Sequence, residues 1–360
     1  MGYVQFEHAP RCQSVLRTFW SAAPILLAPM AGACPTSLSM AVANAGSMGA
    51  CGALLFGPHE MKVWAEEFRA ASAGPFQMNL WIPEPPARRD AAHESEVRRF
   101  LEQWGPAVPR EAGDVVLQDF VAQCEALLEI QPTAMSSIMG LYPPEFVREA
   151  RRRKIEWFAT VTTVAEAKAA EAAGADVIVV QGMEAGGHRG AFDATKAERE
   201  LVGLVALVPA VVDAVRVPVI AAGGIGDGRG VAAALTLGAS AAMIGTGFLR
   251  CPEAQLHPAW ADTLGKTAPE DTILSRAFSG RPGRSIATDY ARAAAETSSP
   301  APAPYPVQRG LTTAMRAEAQ RAGDIQRMQA WAGQSAALTR DEPAGELIER
   351  IWNQAQALLR

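Results

Sequence analysis

The chain of 360 residues lacks the features that mark disulfide-bonded, zinc-binding and membrane proteins. Its five cysteines are odd in number, widely spaced and never arranged as Cys-x-x-Cys, which argues against a disulfide framework and against structural zinc, so no metal site is predicted. No charged and then apolar signal segment opens the sequence. The richest apolar region, residues 24–56, is broken by proline, glycine and asparagine, so no membrane span is predicted. We therefore expect a cytoplasmic protein.

The sequence also lacks an excess of basic charge. Its formal net charge is −5, and the basic run at residues 151–154 falls where a predicted helix ends. Cations at that position complement the helix dipole, so nucleic acid is not expected as a partner. Apolar residues make up 49% of the chain and charged residues 20%, which provides for a large core and argues against disorder. The length suits a barrel with additions.

What the chain does contain is a regular alternation of short apolar runs and helical patterns. Eight such runs predict strands, at residues 25–28, 50–55, 75–80, 133–138, 155–160, 176–180, 217–222 and 241–245. Because a helical pattern follows each run, the alternation implies parallel βαβ units, and eight of them predict an α/β fold of the (β/α)8 TIM barrel type. An open doubly wound sheet is the alternative, since periodicity does not reveal closure.

Two stretches depart from the repeating unit. Residues 81–130 are proline-rich and then helical, and they are too long for a simple connection, so we predict an insertion after strand 3. Near the other end, two amphipathic segments at residues 311–332 and 346–359 predict closing helices. We divide the chain into a barrel core, residues 1–250, and a C-terminal extension, residues 251–360, whose helices are expected to pack on the barrel and close the site.

The run QGMEAGGH, residues 181–188, follows the sixth predicted strand. Its paired glycines let the backbone approach a ligand, and the unperturbed pKa of a histidine lies near neutral pH. Proteins of the α/β class keep their sites at the carboxyl ends of strands. A tight turn with an exposed histidine is the simpler interpretation of this loop taken alone. The neighbouring loops favour a site.

Two glycine-rich loops follow the seventh and eighth predicted strands, at residues 223–228 and 245–247. In TIM barrels the loops after these two strands commonly bind phosphate with a helix N-terminus. Glycine turns occur in any barrel, so each loop alone is weak evidence, but the pair favours phosphate binding. The glycines do not open a first βα unit with a downstream acidic residue, so they do not fit a dinucleotide fingerprint.

Other strand ends supply groups that suit a flat ring. Met30 follows the first strand and can lie against an aromatic ring, while Asn79 and Gln181 can hydrogen-bond the edge of a heterocycle. Together with a phosphate site these residues favour flavin mononucleotide (FMN). Taken singly, Met30 equally fits core packing and Asn79 a turn.

Several blocks resemble the nitronate monooxygenases, formerly called 2-nitropropane dioxygenases. They are PMAG at residues 29–32, AVANAGSMG at 41–49, PFQMNL at 75–80, QGMEAGGHRG at 181–190, AAGGIGDGRG at 221–230 and LGASAAMIGTGFL at 237–249. The resemblance covers roughly residues 24–253 and reappears as WAGQ at residues 331–334. It implies FMN on a TIM barrel and oxidation of alkyl nitronates or nitroalkanes with O2 to carbonyl compounds and nitrite.

By position, the resemblance implies roles for individual residues. His188 matches the catalytic histidine, a base suited to removing the proton next to a nitro group. The residues expected to bind FMN, or to lie beside it, are Met30, Asn79, Gln181, Gly186, Gly187, Gly223, Gly224, Met243, Ile244, Gly245, Thr246 and Gln334. Glu184 is expected to hold backbone amides of its loop. A looser correspondence places Tyr305 and Gln308 in the substrate pocket.

The sequence departs from the family pattern at three places. Ala33-Cys34 and Ser47-Met48 stand where smaller or glycine-containing pairs are usual, and Gln77 replaces a glycine. The first two lie near the expected substrate side of the flavin, so the physiological substrate stays open. The size of the C-terminal extension is compatible with a homodimer or with closure of the pocket.

Two other functions compete with the monooxygenase. One is a related FMN enzyme that uses NAD(P)H to reduce a quinone or an enoyl thioester, and the other is a non-catalytic flavin- or phosphate-binding protein. The proline-containing insertion and the WAGQ motif favour the monooxygenase over the reductase. An ionisable histidine beside the cofactor loops argues against a non-catalytic protein.

Overall fold

A computed structural model describes residues 22–360 of the chain. Eleven strands occur in those residues: β1 (Ile25–Leu27), β2 (Gly49–Gly52), β3 (Phe76–Trp81), β4 (Ala134–Ile138), β5 (Glu156–Val161), β6 (Val177–Gln181), β7 (Gly187–His188), β8 (Val219–Ala222), β9 (Ala241–Ile244), β10 (Thr272–Ser275) and β11 (Gly283–Ile286). All of them except β7, β10 and β11 belong to one parallel sheet.

The eight-stranded sheet closes on itself. Its order is β1-β9-β8-β6-β5-β4-β3-β2, and every paired neighbour runs parallel. Leu26 forms a parallel bridge to Met48, and the Leu27 amide donates to the Met48 carbonyl at 3.0 Å, so the first strand of that order meets the last. The predicted (β/α)8 barrel is confirmed, and the open sheet is excluded. Each barrel strand overlaps its predicted run.

The barrel strands are apolar because both of their faces are buried. In β6, Val177 and Val179 pack inside the barrel with Phe158 of β5, whereas Ile178 and Val180 face the surrounding helices. All five residues of β6 are buried. This two-sided burial explains why the sequence shows continuous apolar runs there instead of alternation.

Thirteen helices accompany the strands in residues 22–360: α1 (Thr36–Asn44), α2 (Pro58–Ala71), α3 (Ala91–Leu101), α4 (Phe120–Ile130), α5 (Pro144–Arg152), α6 (Val164–Ala173), α7 (Leu204–Val212), α8 (Gly228–Thr236), α9 (Pro258–Leu264), α10 (Asp289–Ala293), α11 (Val307–Leu311), α12 (Thr313–Ala322) and α13 (Ala344–Leu358). Helix α6 shows the expected end signals. The Thr163 side chain accepts from the Glu166 amide, and Gly174 closes the helix with φ of +100°.

The insertion after β3 is confirmed, and one predicted helix is wrong. Helices α3 and α4, joined by a short 3₁₀ turn at Arg110–Gly113, form the insertion. Of the segment predicted as one helix over residues 311–332, only α12 and the last residue of α11 are α-helical, and α12 ends at Gly323, whose φ is +66°. Glycine at this left-handed position ends the helix before Met328 and Ala330, which are buried outside it.

The structure contains a three-stranded antiparallel sheet that was not predicted from the sequence. Its order is β10-β11-β7, and the register places Gly283 opposite His188. It joins the C-terminal part of the chain to the loop that carries His188. Strand β7 has two residues, which is too short for any periodic signal, and β11 contains a glycine and a buried arginine, Arg284.

The C-terminal residues pack against the rest of the chain in two places. Helix α13 buries Leu347, Ile348 and Ile351 in the cluster that surrounds the barrel. Phe278 and Tyr290 form a second cluster with side chains of helix α3. The division into a barrel core and an extension near residue 250 remains our proposal.

The described residues contain four free cysteines and no helix that could span a membrane. Cys34, Cys51, Cys124 and Cys251 are free thiols in the interior, whereas Cys12 lies outside the described residues. Within residues 22–360 no helix combines the length and the apolar character needed to cross a bilayer.

Candidate active site

A cavity of about 540 Å³ lies at the carboxyl ends of the barrel strands. All eight barrel strands, or the loops that follow them, contribute to its lining, and the C-terminal extension covers it. Most of the predicted site residues line it, namely Met30, Asn79, Gln181, Gly186, Gly187, His188, Gly223, Gly224, Met243, Gly245 and Thr246. The barrel therefore brings together residues that lie more than 200 positions apart in the sequence.

Three residues named from the sequence lie outside this lining. The Ile244 side chain is buried between the barrel and its helices, and the Gln334 amide donates to the Glu184 carbonyl at 3.0 Å. Gln308 is buried in the extension, where its side chain accepts from the Ala303 amide at 2.9 Å and donates to the Ala277 carbonyl at 2.8 Å. Tyr305, by contrast, lines the cavity as expected.

Part of the lining consists of glycines and short side chains from three barrel loops and from the WAGQ segment. We call it the glycine-lined part, and it comprises Gly186, Gly223, Gly224, Gly245, Thr246, Gly333 and Ser335. A Cβ on Gly186 would lie 2.5 Å from the Gly333 amide nitrogen, so the backbones pack too closely for a side chain. Gly223 has φ of +112°, a conformation that favours glycine. The Gly333 amide donates to Thr246 Oγ1 at 3.0 Å, which holds the segment against the barrel.

The glycine-lined part fits a phosphate group. Backbone amides and the hydroxyls of Thr246 and Ser335 are the donors found in phosphate sites that carry no lysine or arginine. Met30 lies beside Gly245, on which a Cβ would meet the Met30 sulfur at 3.2 Å. Asn79 reaches the lining from β3, and its side-chain nitrogen donates to the Ser136 carbonyl at 3.2 Å and hydroxyl at 3.1 Å.

Gln181 anchors the loop that carries His188. Its side-chain nitrogen donates to the His188 carbonyl at 3.0 Å, and its side-chain oxygen accepts from the Gly190 amide at 2.8 Å. The guanidinium of Arg189, a residue that the sequence did not single out, donates to the Gly182 carbonyl at 2.8 Å. Burial lowers the pKa of Arg189 to about 10, so it stays charged at neutral pH. Gln181 and Arg189 together fix the backbone on both sides of the histidine.

Glu184 lies on the same loop, and its side chain hydrogen-bonds a backbone amide, as expected. Its carboxylate accepts from the Leu204 amide at 2.9 and 3.2 Å, at the first residue of α7. An acceptor at this position satisfies an amide that the helix itself leaves without a partner. The carboxylate thereby ties the loop to a helix N-terminus.

His188 lies among aromatic rings that sequence reasoning did not place there. Its ring centroid is 4.8 Å from that of Trp81 and 4.7 Å from that of Trp331, and Trp81 lies 5.7 Å from Tyr305. Trp81 ends strand β3, and Trp331 opens the WAGQ motif, so the signals for both were present in the sequence. We call His188, Trp81, Trp331, Ser279 and Tyr305 the histidine-lined part of the cavity.

Ser279 is the hydrogen-bond partner of the His188 ring. His188 Nε2 lies 2.8 Å from Ser279 Oγ, and that oxygen also accepts from the Arg281 amide and donates to the Arg281 carbonyl, both at 3.2 Å. In the arrangement in which the Ser279 hydroxyl donates to the Arg281 carbonyl, His188 Nε2 donates to Ser279 Oγ. That tautomer leaves the lone pair of Nδ1 to accept a proton.

The imidazole of His188 is held in its neutral form. Burial, together with the charges of Arg281 and Arg309, lowers the pKa of His188 to about 3. Arg281 itself is buried and forms an ion pair with Glu84 of the proline-rich loop. Above pH 3 the ring is therefore a proton acceptor with weak basicity.

Comparison with known proteins gives one consistent family. Residues 13–354 match the family model described as nitronate monooxygenase. A nitronate monooxygenase from Paraburkholderia phytofirmans is 38% identical over 334 residues, which covers 91% of each chain.

Two solved structures extend the comparison. The structure of nitroalkane oxidase from Streptomyces ansochromogenes superposes with a TM-score of 0.85 at 33% identity and covers 95% of this chain and 98% of that one. FabK from Thermotoga maritima superposes with a TM-score of 0.71 at 28% identity and covers 97% of this chain and 96% of that one.

Proposed function

The chain belongs to the nitronate monooxygenase family, and on that premise we propose that it is an FMN-dependent oxidoreductase that converts alkyl nitronates and O2 to carbonyl compounds and nitrite. One observation carries the proposal. A histidine in its neutral form lines the same cavity as the glycine loops. The proposed base and the proposed cofactor-binding loops thus face one cavity.

The cofactor proposal assigns residues to the parts of FMN. The amides of Gly224 and Gly245 and the Thr246 hydroxyl would hold the phosphate, and Met30 and Asn79 would contact the ring system. Gln181 contributes by holding the His188 loop, since both ends of its amide already contact that loop. Bound FMN supplies electron transfer and reaction with O2, which no amino-acid side chain provides.

The state of His188 sets a substrate preference. A neutral imidazole accepts the proton that a nitroalkane must lose, but two nearby arginines disfavour the imidazolium that results. A nitronate needs no such step, because it arrives without that proton. We therefore expect preformed nitronates to be better substrates than neutral nitroalkanes.

The test uses the purified protein under anaerobic conditions with its visible spectrum recorded. One sample receives propyl-2-nitronate, a second 2-nitropropane and a third NADH, and air is then admitted. Flavin reduction by the nitronate, nitrite formation after air enters and no reaction with NADH support the proposal. The 2-nitropropane sample measures the cost of proton removal separately.

Two results would replace the proposal. Rapid bleaching of the flavin by NADH would favour an FMN-dependent reductase that acts on a quinone or an enoyl thioester. A purified protein that binds no flavin when FMN is added would contradict the assignment of the glycine-lined part, on which both enzyme functions depend.

A further inference from the structure

The cavity carries positive charge that no carboxylate balances. Among residues 22–360, Arg309 and Arg316 line it, and neither an aspartate nor a glutamate does. Buried or half-buried cations are costly unless an opposite charge or a ligand compensates them. The composition of the lining therefore points to an anionic ligand in addition to any phosphate in the glycine-lined part.

Arg309 is the less restrained of the two arginines. It lies on α11, is half-buried, and its guanidinium makes no hydrogen bond or ion pair with the described part of the chain. By contrast, Arg281 pairs with Glu84, and Arg89 pairs with Glu94 and Asp114. An arginine that faces a cavity without such a partner is available to a ligand.

Arg309 lines the same cavity as His188 and Tyr305, and it follows Tyr305 by four residues in the chain. It contributes to the lowered pKa of His188, and it acts against the effect of burial that raises the pKa of Tyr305. The guanidinium is therefore close enough to act on both rings. A ligand that contacts His188 in this enclosed space lies within the field of Arg309.

Arg316 supports Arg309 from the next helix. Its guanidinium donates to Gln329 Oε1 at 2.9 Å, to the Arg309 carbonyl at 2.9 Å and to the hydroxyls of Thr312 at 3.1 Å and Thr313 at 3.2 Å. All four acceptors are neutral, so they hold the side chain in place and leave its charge uncompensated. Burial and the charge of Arg309 lower the pKa of Arg316 to about 10, so it remains a cation at neutral pH.

We propose that Arg309, backed by Arg316, binds the anionic group of the nitronate and makes the enzyme select the anion over the neutral nitroalkane. The inference rests on the proposed function and adds a specificity-determining residue to it. The planar guanidinium fork matches a planar group with two charged oxygens. The glycine-lined part already offers amides to a phosphate, and Arg309 acts on His188 and Tyr305 instead.

The test measures anion binding without turnover. Nitrate, a planar monoanion that the enzyme cannot oxidise, is titrated into the flavin-loaded protein and followed by the flavin difference spectrum. Arg309→Gln is expected to raise the Kd of nitrate by about 10- to 100-fold, the loss typical of a charge-assisted hydrogen bond. Arg309→Lys should recover part of the affinity. Arg321→Gln removes the same charge from an exposed position of α12 and should change nothing.

Steady-state kinetics then test the selection itself. In Arg309→Gln the KM for propyl-2-nitronate should rise by about 10-fold or more with kcat nearly unchanged, whereas kcat/KM for 2-nitropropane should stay within about threefold. In the unaltered protein, added salt should raise the KM for the nitronate and leave that for the nitroalkane in place. This salt series needs no variant, so it holds even where a substitution impairs folding.

Three outcomes would overturn the inference. Unchanged nitrate Kd and unchanged nitronate KM in Arg309→Gln would show that the arginine binds no substrate. Loss of flavin in the same variant would assign the arginine to the cofactor. The third outcome is a protein that binds nitrate through Arg309 and oxidises NADH but no nitronate. It would show an anion site whose ligand is not a nitronate, and it would contradict the proposed function as well.

Discussion

The glycine-lined and histidine-lined parts of the cavity are built in different ways. The first comes mainly from loops that directly follow barrel strands, and it presents backbone and short side chains. The second combines His188 and Trp81 of the barrel with Ser279, Tyr305 and Trp331 of the C-terminal extension, and Arg309 lines the cavity as well. Under the proposed function, the barrel would supply the cofactor site and the extension would supply selectivity. The predictions below test that separation.

The largest effect is expected at the histidine. His188→Asn should keep the flavin, because the glycine-lined part is untouched, and lower kcat/KM for neutral nitroalkanes by about 100-fold, the lower end of the usual contribution of a general base because the ring is weakly basic. Preformed nitronates should lose much less. The measurement compares nitrite formation from 2-nitropropane and from its nitronate. Equal losses on both substrates would contradict the role of His188 as a base.

The next largest effect is expected from a substitution in the glycine-lined part. In Gly186→Ala the new Cβ would lie 2.5 Å from the Gly333 amide, so one of two backbones must shift. We expect the Kd for FMN to rise by roughly 10-fold or more, with a loss of stability of about 1–3 kcal/mol. Titration of the apoprotein with FMN measures the first effect and urea unfolding the second.

The control for that substitution is Gly345→Ala. Its Cβ would meet the Ala45 side chain at 3.8 Å, an ordinary contact, and the position lies in helix α13. FMN affinity should not change there. If both glycine variants bind FMN equally, the close backbone packing around Gly186 does not shape the cofactor site.

A smaller effect is expected from Ser279→Ala. The substitution removes the acceptor of His188 Nε2, a hydrogen bond worth about 1 kcal/mol, so kcat for nitroalkanes should fall about fivefold. FMN affinity should stay the same, because Ser279 belongs to the histidine-lined part. Ser298→Ala, on the exposed surface, is the matched control. A change in FMN affinity with unchanged turnover would show that the two parts are not separate.

The smallest effect concerns stability and pH. The pKa of His188 is about 3 in the folded protein, below the ordinary value of 6.5, so the unfolded chain binds the proton more readily. The stability contributed by the neutral ring is therefore complete above pH 6.5 and is lost as the pH falls toward 3. Between pH 7 and 5, Tm should fall by a few degrees more in the unaltered protein than in His188→Asn. Parallel Tm curves would contradict a lowered pKa.

Sequence reasoning succeeded where the signal is local. The apolar run of β6 and the glycine that ends α6 are both read from neighbouring residues, because strand burial and a left-handed helix end depend on short stretches of chain. It failed where structure depends on distant contacts. Strand β7 exists because Gly283 pairs with His188. The helix predicted over residues 311–332 is an error of another kind, because Gly323, at which the helix ends, is a local signal.

The residues of the candidate site show the same difference between local signals and distant contacts. The glycine loops, Asn79 and His188 were identified from their positions after predicted strands, and the structure places them around one cavity. Ile244 and Gln334 came from the same motifs but lie outside the lining, because a motif does not specify which way each side chain points. Trp81 and Trp331 were visible in the sequence, yet nothing there showed that both would flank His188.

By itself, the sequence determined the order of strands and helices, the ends of the strands at which a site forms, and the family. Tertiary structure decided which groups meet. His188 and Ser279 lie 91 residues apart and form a 2.8 Å contact, and the charge of Arg309 reaches the same ring from the extension. Electrostatic and hydrogen-bonding effects depend on distances in space, so the protonation state of the histidine and the charge of the cavity follow only from the folded chain.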